Sequence, residues 1–252
     1  MDSPRSSALP RRVAIIGRGR LGTALASALP HAGIAVDGPF GRGEIAERFD
    51  GDVVVLVAVP DDAIATVAAS IPIGPLVGHC SGALTLAVLG DHEGFSLHPL
   101  LSVTEPNASF AGAASAIAGR SDRARETARS IAAALGMEPI DVSDDARSLY
   151  HAAASVASNY LVTLEDAAEQ LGMSTGVERR HLARLAQSAL DNWARLGGEA
   201  ALTGPIARGD EATVRRQRDA AERSVPRLLP LWDALANATR MLADRKMAGR
   251  AQ

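Results

Sequence analysis

The stretch VAIIGRGRLGTAL, Val13 to Leu25, decides the fold. Val13–Ile16 is an apolar run of strand length, and Leu21–Leu29 has helical spacing. Between them Gly17, Gly19 and Gly22 spell G-x-G-x-x-G. In a strand–turn–helix setting the first glycine permits a tight turn and the second lets the backbone approach a pyrophosphate. The third lets helix pack closely on strand. Leu21 opens the helix, whose free N–H groups and positive dipole end suit phosphate. The pattern predicts a dinucleotide site; the competing reading is a glycine-rich turn in some other α/β protein.

Gly33–Pro39 reads as the next strand, and its end should distinguish the dinucleotides. NAD binders place an Asp or Glu about 20 residues beyond the fingerprint, on the ribose 2′-OH. Counting about that far from Gly22 reaches Arg42, in the tip Phe40-Gly41-Arg42-Gly43, where no carboxylate stands. A guanidinium suits a 2′-phosphate through paired hydrogen bonds. Asp37 comes too early and falls within the strand. Arg18 and Arg20 add positive charge near the phosphates. NADP(H) is therefore expected over NAD(H), against the reading that these arginines are solvated surface residues.

With 252 residues the chain has length for two modest domains or one large one. A net charge of −3 gives no basic surface for nucleic acid or membrane. Hydrophobic residues make up 47% but aromatics only 3%, so the core must be built from Ala, Val, Leu and Ile. Lys246 is the only lysine, and Cys80 the only cysteine. A lone cysteine excludes an intrachain disulfide and suits a reducing cytoplasm. The N-terminal arm has no apolar region of signal-peptide length. The run Val53–Val59 ends at Pro60 and is of strand length, so no transmembrane helix is expected.

From Val13 to about Val142 strand-like and helical runs alternate, which predicts a doubly wound parallel sheet. Asp52–Val59 is continuous and β-branched, as in a strand buried on both faces. Further strands are expected at Pro75–Cys80, Gly94–His98, Ala114–Ala118 and Glu138–Val142. Helices are expected at Ala63–Ser70, capped by Asp61 or Asp62, and at Ser121–Leu135. Beyond Ser143 the periodicity is helical, over Ala146–Leu171, Thr175–Leu196, Glu211–Glu222 and Val225–Met247. The organisation is an arm over 1–11, a Rossmann-type α/β domain over 12–143 and an all-helical domain over 144–252.

Several residues have the chemistry of a reactive site. Val59-Pro60-Asp61 closes a strand at its carboxyl end, where its backbone meets a cofactor ribose or makes a plain strand-to-helix turn. His79 and Cys80 are neighbours on a strand, so their side chains point to opposite faces and cannot form a nucleophile pair. Cys80 reads as a small buried filler. His79 or Ser81 faces the cleft, or else caps local backbone. His98 ends another strand, placed either to donate a proton or to satisfy a loop carbonyl. On the helix Leu149–Leu164, His151, Ser155 and Asn159 recur every four residues, within roughly 80° of each other. The composition there predicts burial, so the stripe serves a substrate or an interhelical or subunit contact. In Leu202–Asp210, Arg208 suits a substrate carboxylate, and Asp210 orients it or caps the next helix. No metal-ligand spacing occurs.

These motifs together (GRGRLG, VAVPDDAI, HCSGAL, HPL, YHAAASVASNY and LTGPIARGD) resemble the β-hydroxyacid and 6-phosphogluconate dehydrogenase-like superfamily. Within it the chain is most similar to bacterial proteins made of a Rossmann-like domain and a helical domain of unknown function. The resemblance spans nearly the whole chain and implies an NADP-dependent reductase. Some such proteins resemble an alternative form of ketopantoate reductase. Hydroxyacid dehydrogenases and the common ketopantoate reductase place a lysine four residues before an asparagine on this helix. Asn159 matches the asparagine, but Ser155 stands where the lysine would be.

The expected reaction is hydride transfer from NADPH to the carbonyl of a small 2-oxo acid, with ketopantoate as one candidate. His98 or His151 would then be the acid, Asn159 a hydrogen-bond donor and Arg208 the carboxylate anchor. An imine reductase of the pyrroline-5-carboxylate type is one alternative, and a non-catalytic NADP(H)-binding sensor another. Small residues such as Ala152, Ala153, Ala157 and Ser158 allow close helix packing and, with the resemblance, imply a homodimer.

Overall fold

The computed structural model describes residues 9–44, 49 and 53–250. Most of the 1–11 arm and Asp52, the first residue of the expected third strand, lie outside them. Of the arm, Leu9 packs against the core. The chain divides into two compact units, Met1–Val156 and Ala157–Gln252. Among the described residues no helix is long and apolar enough to cross a membrane.

The first unit is built on a seven-stranded sheet of order β2-β1-β3-β4-β5-β6-β7. Its strands are β1 (Arg12–Ile16), β2 (Ala35–Phe40), β3 (Val53–Val57), β4 (Val77–His79), β5 (Gly94–Leu100), β6 (Ala114–Gly119) and β7 (Glu138–Asp141). Helices α1 (Arg20–His31), α2 (Asp61–Ala69) and α3 (Asp122–Ala134) join them, and α4 (Arg147–Ser155) closes the unit. The run VVVLV of β3 is buried along its whole length, because both faces of the sheet are covered. Ile15, Leu25, Leu56 and Phe95 fill one face, and Ile16, Val55, Ile64 and Leu89 fill the other.

Pairing is parallel except between β5 and β6, which are antiparallel. The expected parallel sheet thus carries one antiparallel pairing. A parallel return needs a crossover, whereas residues 101–113 form a loop without a helix and bring the chain straight back. One correction concerns α2. Its N-cap is Pro60, with no side-chain cap, and Asp61 and Asp62 lie inside the first turn. Their charge there still complements the helix dipole.

The second unit is helical: α5 (Leu161–Gly172), α6 (Arg179–Ala201), α7 (Glu211–Ser224) and α8 (Leu229–Arg250). Gly197, at φ 76°, kinks α6 directly after Leu196, where the expected helix ended. A π-helical turn, Val156–Tyr160, joins α4 to α5.

Candidate functional site

The sheet order reverses at β1, with β2 on one side and β3 on the other. Ligands of open α/β sheets bind outside the carboxyl ends of strands at such a point. Gly17 has φ +123°, and a Cβ there would stand 2.2 Å from the Ala58 carbonyl oxygen. A Cβ on Gly22 would come within 2.0 Å of the Gly17 carbonyl oxygen, so the helix touches the turn and no side chain fits between. Gly19 is the opposite case: nothing lies within 4 Å of its Cβ position. It precedes α1, whose first turn has no side-chain cap. A cavity of about 370 Å³ opens there, lined by Gly19, Arg20, Leu21, Val59, Pro60, Asp61 and Ser81, with Ala58, Cys80 and Val103. Free helix N–H groups, an arginine and an open glycine fit the pyrophosphate of a dinucleotide. Gly17 and Gly22 build the turn without lining the cavity, and Arg18 and Arg42 are not part of its wall.

The end of β2 holds a residue that the spacing argument missed. Arg18 turns back along this strand, and its Nε donates to the Pro39 carbonyl at 3.1 Å. Its Nη2 pairs with the Glu44 carboxylate, which also accepts the Gly41 N–H at 3.1 Å. A carboxylate therefore does stand at this tip, folded back from beyond the counted position. Arg42 is exposed. Asp37 lies within β2, 3.7 Å from Arg12.

Beside the cavity, the ends of β4 and β5 and the start of α4 bring a polar cluster together. Arg147 is fully buried. It donates from Nη1 to the Ser81 carbonyl at 3.1 Å and from Nη2 to Ser96 Oγ. Its nearest carboxylate, Asp144, is 3.8 Å from Nε. Ser81 links this cation to the cavity wall, since its Oγ donates to Asp61 Oδ2 at 2.8 Å. The same Oγ accepts the Leu84 N–H at 3.0 Å. His98 Nδ1 and the Tyr150 hydroxyl share a hydrogen bond of 2.8 Å. The His98 and His151 rings meet edge-on, 6.1 Å between centroids. Gly82 makes this possible: a Cβ there would lie 2.7 Å from His151 Cδ2 and 2.9 Å from His98 Nε2.

Electrostatics follow from burial and from Arg147. Burial, then His151 and Arg147, push the His98 pKa down to about 4, partly offset by Asp61. His79 is pushed down to about 3, chiefly by burial and then by Arg147. Both rings are neutral near neutral pH, and the cluster disfavours additional positive charge. Burial raises the Tyr150 hydroxyl and Arg147 opposes the rise. Burial also pushes the Cys80 thiol up to about 12, as for an inert core filler. Of the pair left open by sequence, Ser81 lines the cavity, whereas His79 is buried and accepts the Ser81 N–H at 3.2 Å.

The structure thus joins His98, His151, Ser81 and Asp61 in one place, and adds Arg147 and Tyr150, which sequence reasoning passed over. Arg147 stands four residues before His151, so the repeat that singled out His151 and Ser155 extends to it. An arginine on a helix reads by default as a surface charge.

The expectation of a buried helix over 149–164 is corrected: Leu149 is 78% exposed and Val162 68%. The π turn also interrupts the four-residue repeat between Ser155 and Asn159. Asn159 and Arg208 are exposed in the second unit. Asp210 accepts the Thr213 N–H at 3.0 Å and caps α7, one of its two sequence readings.

Residues 113–239 match the family described as Domain of unknown function (DUF2520), and the chain belongs to it. No curated protein matches. A candidate NADP oxidoreductase from Bacteroides fragilis is similar in structure, at 19% identity and TM-score 0.79, over 92% of this chain and 98% of that one. Protein TM1727 from Thermotoga maritima is 23% identical with TM-score 0.78, over 92% and 99%. A reductive aminase from Aspergillus terreus, in complex with NADPH and ethyl levulinate, is 19% identical with TM-score 0.64, over 93% and 97%. At these identities the likeness fixes the fold, a Rossmann-like α/β sheet followed by helices.

Proposed function

We propose that this member of the DUF2520 family is an NADPH-dependent reductase that acts on the carbonyl of a small 2-oxo acid. The carrying observation is the buried Arg147 guanidinium, bound to Ser81 at the cavity wall and adjoining the Tyr150–His98–His151 cluster. Bound NADPH would supply the hydride to the carbonyl carbon, and negative charge would then grow on the oxygen. Donors aimed at that oxygen in a dry site lower the barrier most. Arginine stays charged even when buried, so its field stabilises an oxyanion and disfavours a cationic iminium. Neutral His98 holds the Tyr150 hydroxyl, which gives its proton to the alkoxide; Arg147 stabilises the tyrosinate left behind until water reprotonates it. The serine at position 155, where related dehydrogenases place a lysine, leaves that task to the cluster.

Gly19, the start of α1 and Arg20 would hold the pyrophosphate, with Val59, Pro60 and Asp61 along the nicotinamide side. The NADPH complex of the reductive aminase supports the choice of cofactor. Ketopantoate is the substrate suggested by the family resemblance. The reductive aminase among the neighbours favours an imine as the second reading. Asn159 and Arg208 belong to the second unit, and the reading rests on the first unit alone.

Exchange of Arg147 separates the two substrates. Arg147→Gln is expected to lower kcat with a 2-oxo acid about 100-fold and to spare imine reduction. Equal losses on both would remove the argument from charge. Exposed Trp193 (60%), Leu185 (69%) and Met173 (78%) also support a homodimer formed through the helical unit. Light scattering at micromolar concentration should give twice the chain mass, and a monomer would refute it.

A further inference from the structure

At the end of β2 two donors converge on one anion. The Gly41 N–H and the Arg18 guanidinium both bind the Glu44 carboxylate. Arg18 is aimed by its bond to the Pro39 carbonyl, and it lies across Gly41, where a Cβ would be 3.1 Å from Nη1. Arg42 has no hydrogen bond or ion pair among the described residues. In this fold the end of the second strand meets the adenosine ribose: a carboxylate there takes the 2′-OH, and an arginine the 2′-phosphate. This chain holds both groups, bound to each other.

We propose that Arg18, and not Arg42, is the anchor for a 2′-phosphate, and that Glu44 is the internal anion this phosphate displaces. The inference rests on the NADP(H) reading and says which residues set the preference. A phosphate carries up to two negative charges and three acceptor oxygens, so it outcompetes a single carboxylate for Arg18 and repels Glu44 into solvent. With a ribose lacking the phosphate, Glu44 keeps Arg18 and offers its other oxygen to the 2′-OH. Glu44 thus penalises NADP(H) and rewards NAD(H), while Arg18 does the reverse. Both side chains are about half exposed, at 59% and 46%, so the Glu44 contribution is modest.

The test is calorimetric titration of 2′,5′-ADP and 5′-AMP, which isolate the 2′-phosphate, together with NADPH and NADH. Glu44→Gln should tighten 2′,5′-ADP and NADPH about fivefold and leave 5′-AMP no tighter. Arg18→Ala should weaken 2′,5′-ADP about 30-fold while 5′-AMP changes less than about twofold. Arg42→Ala should change either ligand less than about threefold. Both Arg18 and Glu44 are surface groups, and an unchanged melting temperature checks the fold of each variant. If wild type binds 2′,5′-ADP and Arg42→Ala costs as much as Arg18→Ala, or Glu44→Gln leaves the ratio unchanged, the inference falls alone. Wild type that binds neither NADPH nor NADH overturns the cofactor reading and the inference with it.

Discussion

Gly82→Ala is the sharpest perturbation of the proposed site. The backbone φ at Gly82 is not in the left-handed region, so alanine adds no backbone strain and the effect is steric. The new methyl would lie 2.7 Å from His151 Cδ2 and 2.9 Å from both His98 Cε1 and His98 Nε2. Carbon contacts settle near roughly 3.5–4 Å, so each ring must retreat by about 0.6–1.3 Å. His98 cannot do so and keep its 2.8 Å bond to Tyr150. Overpacking of this size costs about 1–3 kcal/mol of stability. A displacement of about 1 Å in reacting groups costs about 100-fold in rate. The variant should therefore fold, melt somewhat lower, bind NADPH as wild type does, and oxidise it about 100-fold more slowly with a 2-oxo acid. Affinity is spared because the cavity wall at Gly19, Arg20 and Pro60 is not touched. A kcat within about threefold of wild type, in a protein that retains alanine at this position, would refute the role given to the histidine pair.

Two further outcomes follow from burial. His98 and His79 have folded pKa values of about 4 and about 3, against about 6.5 when unfolded. Between those values the unfolded chain binds more protons, so stability is present above about pH 6.5 and lost as pH falls toward 4, by up to about 1.4 kcal/mol per pH unit for each ring. Denaturant midpoints should drop over that window and drop less in His98→Asn; a midpoint that stays level from neutrality to pH 4.5 would contradict the assignment. Cys80, buried with its thiol pushed up to about 12, should resist a thiol reagent such as Ellman's in the folded protein and react at once in denaturant. Rapid reaction without denaturant would show that this wall of the cavity opens.

Much of the fold was legible because its signals are local. The glycines at 17 and 22 mark a turn that leaves no room for side chains, and the run at Val53–Val57 is β-branched and of strand length. The antiparallel β6 was not legible, since strand direction depends on what the intervening loop does in space. In the polar cluster, His98, His151 and Ser81 could be picked out from their places at strand ends and on a helical repeat. The burial of Arg147 is a tertiary outcome, and nothing in RSLYH marks that arginine as different from its many surface counterparts. Glu44 escaped because residue counting measures distance along the chain, whereas the loop folds back and returns its carboxylate to Arg18. The helix over 149–164 was misjudged for a related reason: an apolar composition is local, whereas what covers a helix is settled by tertiary packing.

The most direct measurement is NADPH oxidation by the purified protein with ketopantoate, run beside pyrroline-5-carboxylate and with NADH in parallel. The account predicts turnover of the oxo acid, faster with NADPH than with NADH, and little or none of the imine. Turnover of the imine alone, or tight NADPH binding with no oxidation by either compound, would contradict it.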